Sequence, residues 1–390
     1  MDEKSRFWGY KRPDGTIGLR NHVLVLPTVI CSSNTAASIS EKVKGTAALP
    51  NQYGCCQIGE DSKLTTKTLV GLGKNPNVAA VLVIALGCEE VDYQELIDEI
   101  VKTKKHVELI VIQDVGGTEK AIEKGILIGE KLVKETSSMK REKVSLSKLT
   151  VALECGGSDW TSGVISNPVV GVMVDQIVSA GGTAIFSETT EIIGAEHLLI
   201  NRTKNKQVAK KLLGAVARVE KRVERAGVDL REAQPTPGNI IGGITTIEEK
   251  SLGAICKAGK QRIVDVLEYA DKIPQTRGLF FMDTPGQDIE SITGMVAGGA
   301  QIIVFTTGRG TPTGCPIAPV IKVTGNSETF RKMPGDIDFN AGTVMDGFET
   351  IERIGAGLAE MLLEVASGKM TKAELNNHKE FAIYRIYSSV

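Results

Sequence analysis

The sequence predicts an α/β fold of parallel-sheet, Rossmann-like domains with helices on both faces, and it predicts two such domains. Buried apolar runs at residues 22–30, 78–87 and 106–114 are each followed by an amphipathic, helix-like run. This alternation is typical of parallel strands joined by right-handed crossovers. A length of 390 residues is too great for one ordinary core. The 42 glycines suit strand ends at which the backbone turns sharply.

The second half of the chain repeats the same pattern after a polar segment at residues 136–148, which we take as the domain boundary. We therefore predict an N-terminal α/β domain over 1–140 and a C-terminal α/β domain over 141–390. The pattern places its strands at residues 149–154, 183–187, 278–282, 301–306 and 320–323. It places its longest helices at residues 169–180, 204–227 and 344–367, the last continued by 372–381.

Composition excludes several classes of partner. A net charge of -1 gives no reason to expect nucleic acid or a membrane surface, and no apolar run reaches the length of a membrane span. The charged N-terminus lacks a signal core, and the seven cysteines form no CxxC pair. We therefore expect a cytoplasmic protein with reduced thiols.

Polar clusters follow several of the predicted strands, which is where open α/β sheets place their chemistry. The richest is the run Glu154 to Asn167, and a second begins at Ser187. Carboxylates and imidazole are the usual general acids and bases. The candidate catalytic residues are Glu154, Asp159, Glu188, Glu191 and His197.

Cysteine and glutamate recur beside glycine at three of these strand ends. Mixed thiolate and carboxylate ligands are accepted by ferrous iron and other divalent metals such as manganese. The candidate metal ligands are Cys55, Cys88, Glu89 and Cys155. Each cysteine taken alone is also compatible with an inert buried residue.

The strand ends of the second half favour an anionic substrate. Arg309 stands between two glycines, where its guanidinium could meet a carboxylate bidentately. Lys322 lies in an otherwise apolar strand. We also assign substrate contacts to Ser158, Thr307 and Asp283. No dinucleotide fingerprint, phosphate-binding loop, GxSxG or HExxH motif occurs, so NAD, ATP and serine-hydrolase chemistry lose support.

Taken together, these runs resemble the altronate and galactarate dehydratases and the large (beta) subunit of sulfolactate sulfo-lyase. The matching runs are residues 9–15, 18–21, 87–89, 154–168, 187–189, 194–196, 282–286 and 305–310. The resemblance implies a lyase that removes a group beta to a carboxylate with ferrous iron or another divalent metal. Single-chain members also carry a small N-terminal domain of the antifreeze-like type, so the resemblance implies a separate small subunit and an oligomer. In one departure, Tyr53 stands where the family often has histidine.

The chemistry predicted from these residues is elimination from a 2-hydroxy carboxylate, which gives an enol and then a 2-keto acid. Glu188, Glu191 or His197 would remove the C2 proton, and Arg309 and Lys322 would hold the acid group. For dehydration, Asp159 or Glu154 would protonate the departing hydroxyl, whereas sulfite needs no acid. The sequence favours sugar-acid dehydration as the broader class, and the short, split chain favours the sulfo-lyase.

Two further alternatives stay open from sequence. An iron–sulfur dehydratase would hold a cluster on Cys55, Cys88 and Cys155. A non-catalytic sugar-acid-binding subunit would bind its ligand without metal and without turnover. The number of titratable groups at strand ends favours an enzyme over the binding subunit.

Overall fold

The computed structural model describes residues 6–274, 276–347 and 349–390, and it confirms the α/β class. Two sheets are parallel throughout, with strand orders β4-β3-β5-β6 and β10-β11-β9-β8-β12-β13-β14, and a small antiparallel sheet has the order β2-β1-β7. The strands of the described residues are β1 (Arg6–Lys11), β2 (Ile17–Gly18), β3 (His22–Pro27), β4 (Thr46–Ala48), β5 (Val78–Ala85), β6 (His106–Val111), β7 (Arg141–Ser145), β8 (Thr150–Cys155), β9 (Thr183–Phe186), β10 (Ile263–Leu267), β11 (Gly278–Met282), β12 (Ile302–Thr307), β13 (Val320–Thr324) and β14 (Phe339–Asn340).

Helices follow most of these strands and cover the sheets. The helices of the described residues are α1 (Ile30–Lys42), α2 (Glu60–Lys74), α3 (Tyr93–Val101), α4 (Thr118–Ser137), α5 (Asn167–Ser179), α6 (Glu196–Ile200), α7 (Lys206–Arg225), α8 (Leu230–Ala233), α9 (Pro237–Ile241), α10 (Ile247–Ala254), α11 (Asp288–Ala297), α12 (Ser327–Lys332), α13 (Ile351–Ala366) and α14 (Lys372–Leu375). None of these helices is both long and apolar enough to cross a membrane.

The core is layered because side chains alternate between the two faces of each strand. Leu153 of β8 packs with α5 and α13 on one face of the larger sheet, and Ala152 packs on the other face. That second cluster also contains Leu24 of β3 and side chains of α2 and α11, so it lies between the two parallel sheets. A third cluster lies between the smaller sheet and helices α1 and α4. The two halves of the chain thus share one apolar layer.

Two of the segments assigned from the sequence have a different structure. Residues 136–148, predicted as an irregular linker, contain β7, which pairs antiparallel with β1. The residues of this strand are exposed or half-buried, so it carries no apolar signal. The last predicted helix ends at Leu375 instead of residue 381, because Asn377 takes a positive φ of 57°.

The C-terminal segment after α14 lies against the first half of the chain. The side-chain amide of Gln52 donates to the carbonyl of Phe381 at 2.9 Å. The backbone N–H groups of Ile386 and Tyr387 donate to the Asp61 carboxylate at 2.8 and 2.7 Å. Asp61 stands in the first turn of α2, where its negative charge also complements the helix dipole.

Candidate functional site

The candidate site lies at the carboxyl ends of the neighbouring strands β11, β9, β8 and β12. The chain runs outward from β8 to β9 on one side and returns to β12 on the other, so the strand order reverses between β8 and β12. Ligands of open α/β sheets bind at such a reversal. The loops after β8 and β12 contact each other at this edge. The backbone N–H of Arg309 donates to the carbonyl of Gly157 at 2.9 Å.

Three carboxylates converge at this edge. Glu154 is near the end of β8, Glu188 follows β9, and Asp288 begins α11; one carboxylate oxygen from each lies within 4.8 Å of the others. Glu154 and Glu188 are buried, whereas Asp288 is half-buried and opens the group to solvent. A Cβ on Gly156 would lie 2.1 Å from Oδ2 of Asp288, so glycine at this position makes room for the third carboxylate.

Hydrogen bonding satisfies one oxygen of Glu154 and leaves the other without a partner among the described residues. Ser291 of α11 donates to Oε2 of Glu154 at 2.7 Å, while Oε1 of Glu154 is buried and has no hydrogen-bond partner among the described residues. A buried oxygen without a partner is costly unless a ligand or proton satisfies it. Three hard oxygen donors fit Mg²⁺, Mn²⁺ or Fe²⁺.

A buried ion pair lies beside the three carboxylates. Nζ of Lys257 is 2.6 Å from Oε2 of Glu191 and 3.1 Å from Oε2 of Glu188, and all three side chains are buried. Lys250 adds a second cation, with its Nζ 3.6 Å from Oε1 of Glu191. Burial opposes the charge of Lys257, but Glu191 and Glu188 outweigh it and raise the pKa of Lys257 well above its ordinary value. This lysine is therefore charged at neutral pH.

The carboxyl groups differ in their affinity for protons. Burial, followed by the charges of Glu188 and Asp288, raises the pKa of Glu154 well above its ordinary value. Burial and the charge of Glu191 raise the pKa of Glu188 to about 8 and that of Asp288 to about 6. Burial also acts on Glu191, but Lys257 and Lys250 outweigh it and lower the pKa. Glu191 is thus the member of the cluster that is firmly ionised.

The backbone at Glu188 is in the left-handed region, with φ 68° and ψ 78°. Such a conformation costs about 1–3 kcal/mol for a residue other than glycine and persists where the surroundings fix it. Here the N–H of Glu188 donates to Oγ1 of Thr284 at 2.9 Å, and the N–H of Cys155 donates to Oε2 of Glu188 at 3.2 Å. These contacts hold the carboxylate toward Lys257.

A cavity of about 310 Å³ adjoins the cluster. The polar residues that line it are Cys155, Ser158, Asp159, Ser162, Asn167, Glu249 and Lys250. Its volume is at the lower end of the range for small-molecule sites. Cys155 and Lys250 contact Glu188 and Glu191, so the carboxylates lie directly behind the cavity wall. Burial raises the pKa of Cys155 to about 11, which keeps it a neutral thiol.

The predicted substrate-binding residues fall into two groups. Ser158 lines the cavity, with its Oγ 3.1 Å from Sγ of Cys155. Arg309 is exposed on the neighbouring loop and donates to the carbonyl of Gly238 at 2.7 Å. Thr307 is buried, and its Oγ1 accepts from the N–H of Gly310 at 3.0 Å. Nζ of Lys322 donates to the carbonyls of residues 312 and 313 at 2.7 and 3.1 Å. Thr307 and Lys322 thus shape the loop that carries Arg309.

The contacts or positions of three other predicted residues do not suit their predicted roles. Asp159 lines the cavity, but its Oδ1 accepts from Oγ1 of Thr161 at 2.6 Å and from the N–H of Ser162 at 3.0 Å. Asp283 forms an ion pair with Arg218 at 2.6 Å. His197 is exposed on α6 and does not line the cavity.

The predicted metal ligands are divided between the two parallel sheets. Cys55, Cys88 and Glu89 follow β4 and β5 of the smaller sheet, and both cysteines are exposed. Glu89 accepts from Oγ1 of Thr28 and from the backbone N–H groups of residues 86 and 87. Cys155 is buried at the end of β8 in the larger sheet. The structure therefore does not bring these four residues together; among the described residues, the carboxylates of Glu154, Glu188 and Asp288 form the one group of ligand atoms close enough to share an ion.

Sequence reasoning missed Lys257, Lys250 and Asp288. Neither Lys257 nor Lys250 lies in an apolar strand of the kind that singled out Lys322, so their local sequence does not indicate burial. Asp288 could have been identified from the sequence, because Gln287-Asp288 directly follows the run Asp283-Thr284-Pro285-Gly286 and begins a helix. An acidic residue in the first helical turn reads equally well as a dipole partner.

Comparison with known proteins identifies the family. The family model described as D-galactarate/Altronate dehydratase, C-terminal, matches residues 146–389. The chain belongs to the D-galactarate/altronate dehydratase family. The model for D-galactarate dehydratase/Altronate hydrolase, second domain, matches residues 9–137 of this family member. The predictions of this family and of a lyase are thereby confirmed.

Individual relatives of this dehydratase-family chain include both kinds of lyase. The (2R)-sulfolactate sulfo-lyase subunit beta of Chromohalobacter salexigens is 41% identical over 100% of both chains. The altronate dehydratase of Bacillus subtilis is 34% identical over 98% of this chain and 78% of its own length. The galactarate dehydratase (L-threo-forming) of Escherichia coli is 36% identical over 93% of this chain and 73% of its own length.

Proposed function

We propose that this chain is the large subunit of a metal-dependent lyase that eliminates a beta group from a small 2-hydroxy carboxylate, with (2R)-sulfolactate as the leading substrate. The observation that carries the proposal is the convergence of Glu154, Glu188 and Asp288 with two buried lysines beside a 310 Å³ cavity. Such a set of charges suits a reaction in which negative charge develops next to an acid group.

A divalent cation fits the three carboxylates of Glu154, Glu188 and Asp288. The free Oε1 of Glu154 and the close oxygens support this assignment. Bound there, the cation would supply Lewis-acid stabilisation of the enolate that forms when the C2 proton leaves. Oxygen donors favour Mn²⁺, Mg²⁺ or Fe²⁺ over the softer metals that thiolates select.

Glu191 is the best-placed base of the three that the sequence suggested. It is firmly ionised between Lys257 and Lys250, and its Oε1 is buried without a hydrogen-bond partner among the described residues. An ionised oxygen that makes no hydrogen bond can accept the C2 proton of an acid bound at Lys250, whose Nζ lies 3.6 Å from it. Glu188 would act as a ligand, and the exposed His197 would take no part.

Lys250 would bind the acid group of the substrate. It lines the cavity and is largely buried. Burial lowers its proton affinity, but Glu191 and Glu188 outweigh this and raise the pKa of Lys250, so it stays charged. Arg309 stands on the adjacent loop and would bind the second anionic group. The two cations thus suit a substrate that carries both a carboxylate and a sulfonate.

Two observations favour sulfite over hydroxide as the leaving group. The sulfo-lyase subunit is 41% identical to this chain, whereas the dehydratases are 34–36% identical. Two carboxylates line the cavity, and both already accept hydrogen bonds: Asp159 from Thr161 and Ser162, and Glu249 from Thr245. Neither is well placed to protonate a departing hydroxyl. Sulfite departs without protonation, and the enol left behind becomes pyruvate.

Sugar-acid dehydration is the second candidate. Three of the four relatives are altronate or galactarate dehydratases, and the high pKa of Glu154 would let it serve as an acid if it were not a metal ligand.

The deciding experiment is an anaerobic assay of the chain with Fe²⁺ or Mn²⁺, with and without the companion subunit of the Chromohalobacter enzyme. Sulfolactate, altronate and galactarate are supplied separately, and sulfite and 2-keto acid are measured. Sulfite and pyruvate in equal amounts from sulfolactate support the proposal. A 2-keto acid from altronate or galactarate alone supports the second candidate, and binding of all three acids without turnover supports a non-catalytic subunit.

Metal content separates the proposed carboxylate site from an iron–sulfur cluster. Asp288→Asn should lower bound Mn²⁺ at least tenfold, measured by atomic emission after dialysis. Glu290→Gln, in the same helical turn but outside the ligand group, is the control. Brown protein with labile sulfide that Cys55→Ser removes would support the cluster instead.

A further inference from the structure

A patch of exposed apolar side chains surrounds the mouth of the candidate cavity. Trp160, Val164 and Leu252 line the cavity and are each about half exposed. Ile240 and Ile241 are exposed at the end of α9, and Ile241 reaches 78% exposure. We call these five residues the mouth patch. Single exposed apolar residues are ordinary, but several grouped at a site entrance mark a contact surface.

Close backbone contacts hold the parts of the mouth patch together. The N–H of Trp160 donates to the carbonyl of Gly242 at 3.0 Å, which fixes the end of α9 beside the indole. A Cβ on Gly253 would lie 2.7 Å from the Cα of Gly163, so two glycines let α10 approach the turn before α5. This brings Leu252 beside Val164. The patch is therefore a built surface and not a chance grouping of flexible loops.

The start of α9 is fixed as well. Thr236 and Asn239 form a reciprocal capping box, and Pro237 takes the first helical position. The side-chain amide of Asn239 donates to the carbonyl of Ser158 at 3.0 Å. A short helix that is capped and tied to the cavity wall presents Ile240 and Ile241 to solvent at little entropic cost for a partner to exploit.

The relatives supply a candidate partner for the mouth patch. The single-chain dehydratases extend beyond the matched region by roughly a quarter of their length. The sulfo-lyase relative matches this chain end to end, and its name makes it one subunit of a larger enzyme. A companion subunit of that kind is therefore the partner that we consider for this patch.

We propose that the companion subunit docks on the mouth patch through an apolar face and closes the cavity over Lys250. This inference rests on the proposed function, because it assumes that the cavity is the reaction site. Closure would remove water from around Lys250 and the carboxylates behind it, and charge interactions strengthen in such an environment. The companion subunit would then be required for turnover, but not for metal binding by the carboxylates.

The test titrates the companion subunit of the Chromohalobacter sulfo-lyase into the full chain, with affinity measured by isothermal titration calorimetry. Ile241→Glu places a charge in the contact and should weaken binding at least tenfold. Leu375→Glu is the matched control, since Leu375 is 66% exposed on α14, and it should change the affinity less than twofold. Hydrogen exchange of the complex should slow at residues 160–164 and 236–254.

The outcomes separate this proposal from the proposed function, because binding is measured without substrate. If Ile241→Glu weakens the complex but the complex turns over no acid, the docking surface is supported and the proposed reaction is contradicted. If the complex turns over the acid but Ile241→Glu binds the companion subunit with unchanged affinity, the docking surface is contradicted and the proposed reaction is supported. The surface is also overturned if the wild-type chain forms no complex, or if it self-associates in a way that Ile241→Glu abolishes, since the patch would then belong to a second copy.

Discussion

Replacing Lys257 with methionine removes the central cation of the candidate site while keeping most of the apolar length of the side chain. Nζ of Lys257 lies 2.6 and 3.1 Å from oxygens of Glu191 and Glu188. At an effective dielectric constant near 20, the contact with the ionised Glu191 is worth about 6 kcal/mol before desolvation is subtracted. Breaking a buried pair by removing one partner costs about 3–5 kcal/mol, and we expect Lys257→Met to lower the free energy of unfolding by that amount.

The cost should depend on Glu191, because Glu191 is the partner that stays ionised. Lys257→Met/Glu191→Gln removes the ionised carboxylate together with its nearest cation, so we expect the double variant to recover at least half of the lost stability. The free energies would come from equilibrium urea unfolding at pH 7, followed by circular dichroism. A loss below about 1 kcal/mol in the single variant, or equal losses in the single and double variants, would refute the assignment of Lys257 to an energetically coupled ion pair.

Three further predictions concern space, charge and pH. Gly156→Ala should displace the carboxylate of Asp288, 2.1 Å from the new methyl group, and lower kcat and bound Mn²⁺ at least tenfold. Gly214→Ala, in open space on α7, should instead leave activity unchanged and raise stability by about 0.5–1 kcal/mol; equal effects of the two would contradict the steric argument. Arg309→Ala should raise the KM for the acid at least tenfold with a smaller change in kcat, and an unchanged KM would remove Arg309 from the site. Burial, with help from Arg20, lowers the pKa of His22 to about 4, so up to about 3 kcal/mol of stability present above pH 6.5 should be lost as the pH falls to 4. His22→Gln should flatten that part of the curve, and urea midpoints across this range would show whether it does.

Much of the fold could be predicted because buried parallel strands leave a strong signal in sequence. The run at residues 78–87 is apolar throughout and forms β5 with every side chain buried. β11 was predicted at its observed bounds, residues 278–282. β4 and β10 were missed: β4 has three residues, and β10 combines an exposed edge with an Asp in its middle. Pairing with neighbours, which the local pattern does not encode, decides such strands.

The site was predicted in part, for the same physical reason. Glu154, Glu188 and Glu191 could be selected because carboxylates at the ends of buried strands are unusual, and the structure places all three in one cluster. The cysteines looked equally promising, but a sequence does not say which strand ends adjoin. Cys55 and Cys88 belong to one sheet and Cys155 to the other. Lys257 lies in a short 3₁₀ segment after α10, and the sequence of this segment contains no recognisable motif.

The backbone bonds from Ile386 and Tyr387 to Asp61 bear on the order of events during synthesis. The first of these donors lies 325 residues after Asp61 in the chain. At about 5–20 residues per second it is synthesised on the order of tens of seconds after Asp61. Until then the first turn of α2 lacks two of its hydrogen bonds, and the apolar layer that α2 shares with α11 is also incomplete. The first half of the nascent chain therefore leaves the ribosome with an exposed apolar face. Such a face makes a partly folded chain prone to aggregation, and its burial marks the completion of folding.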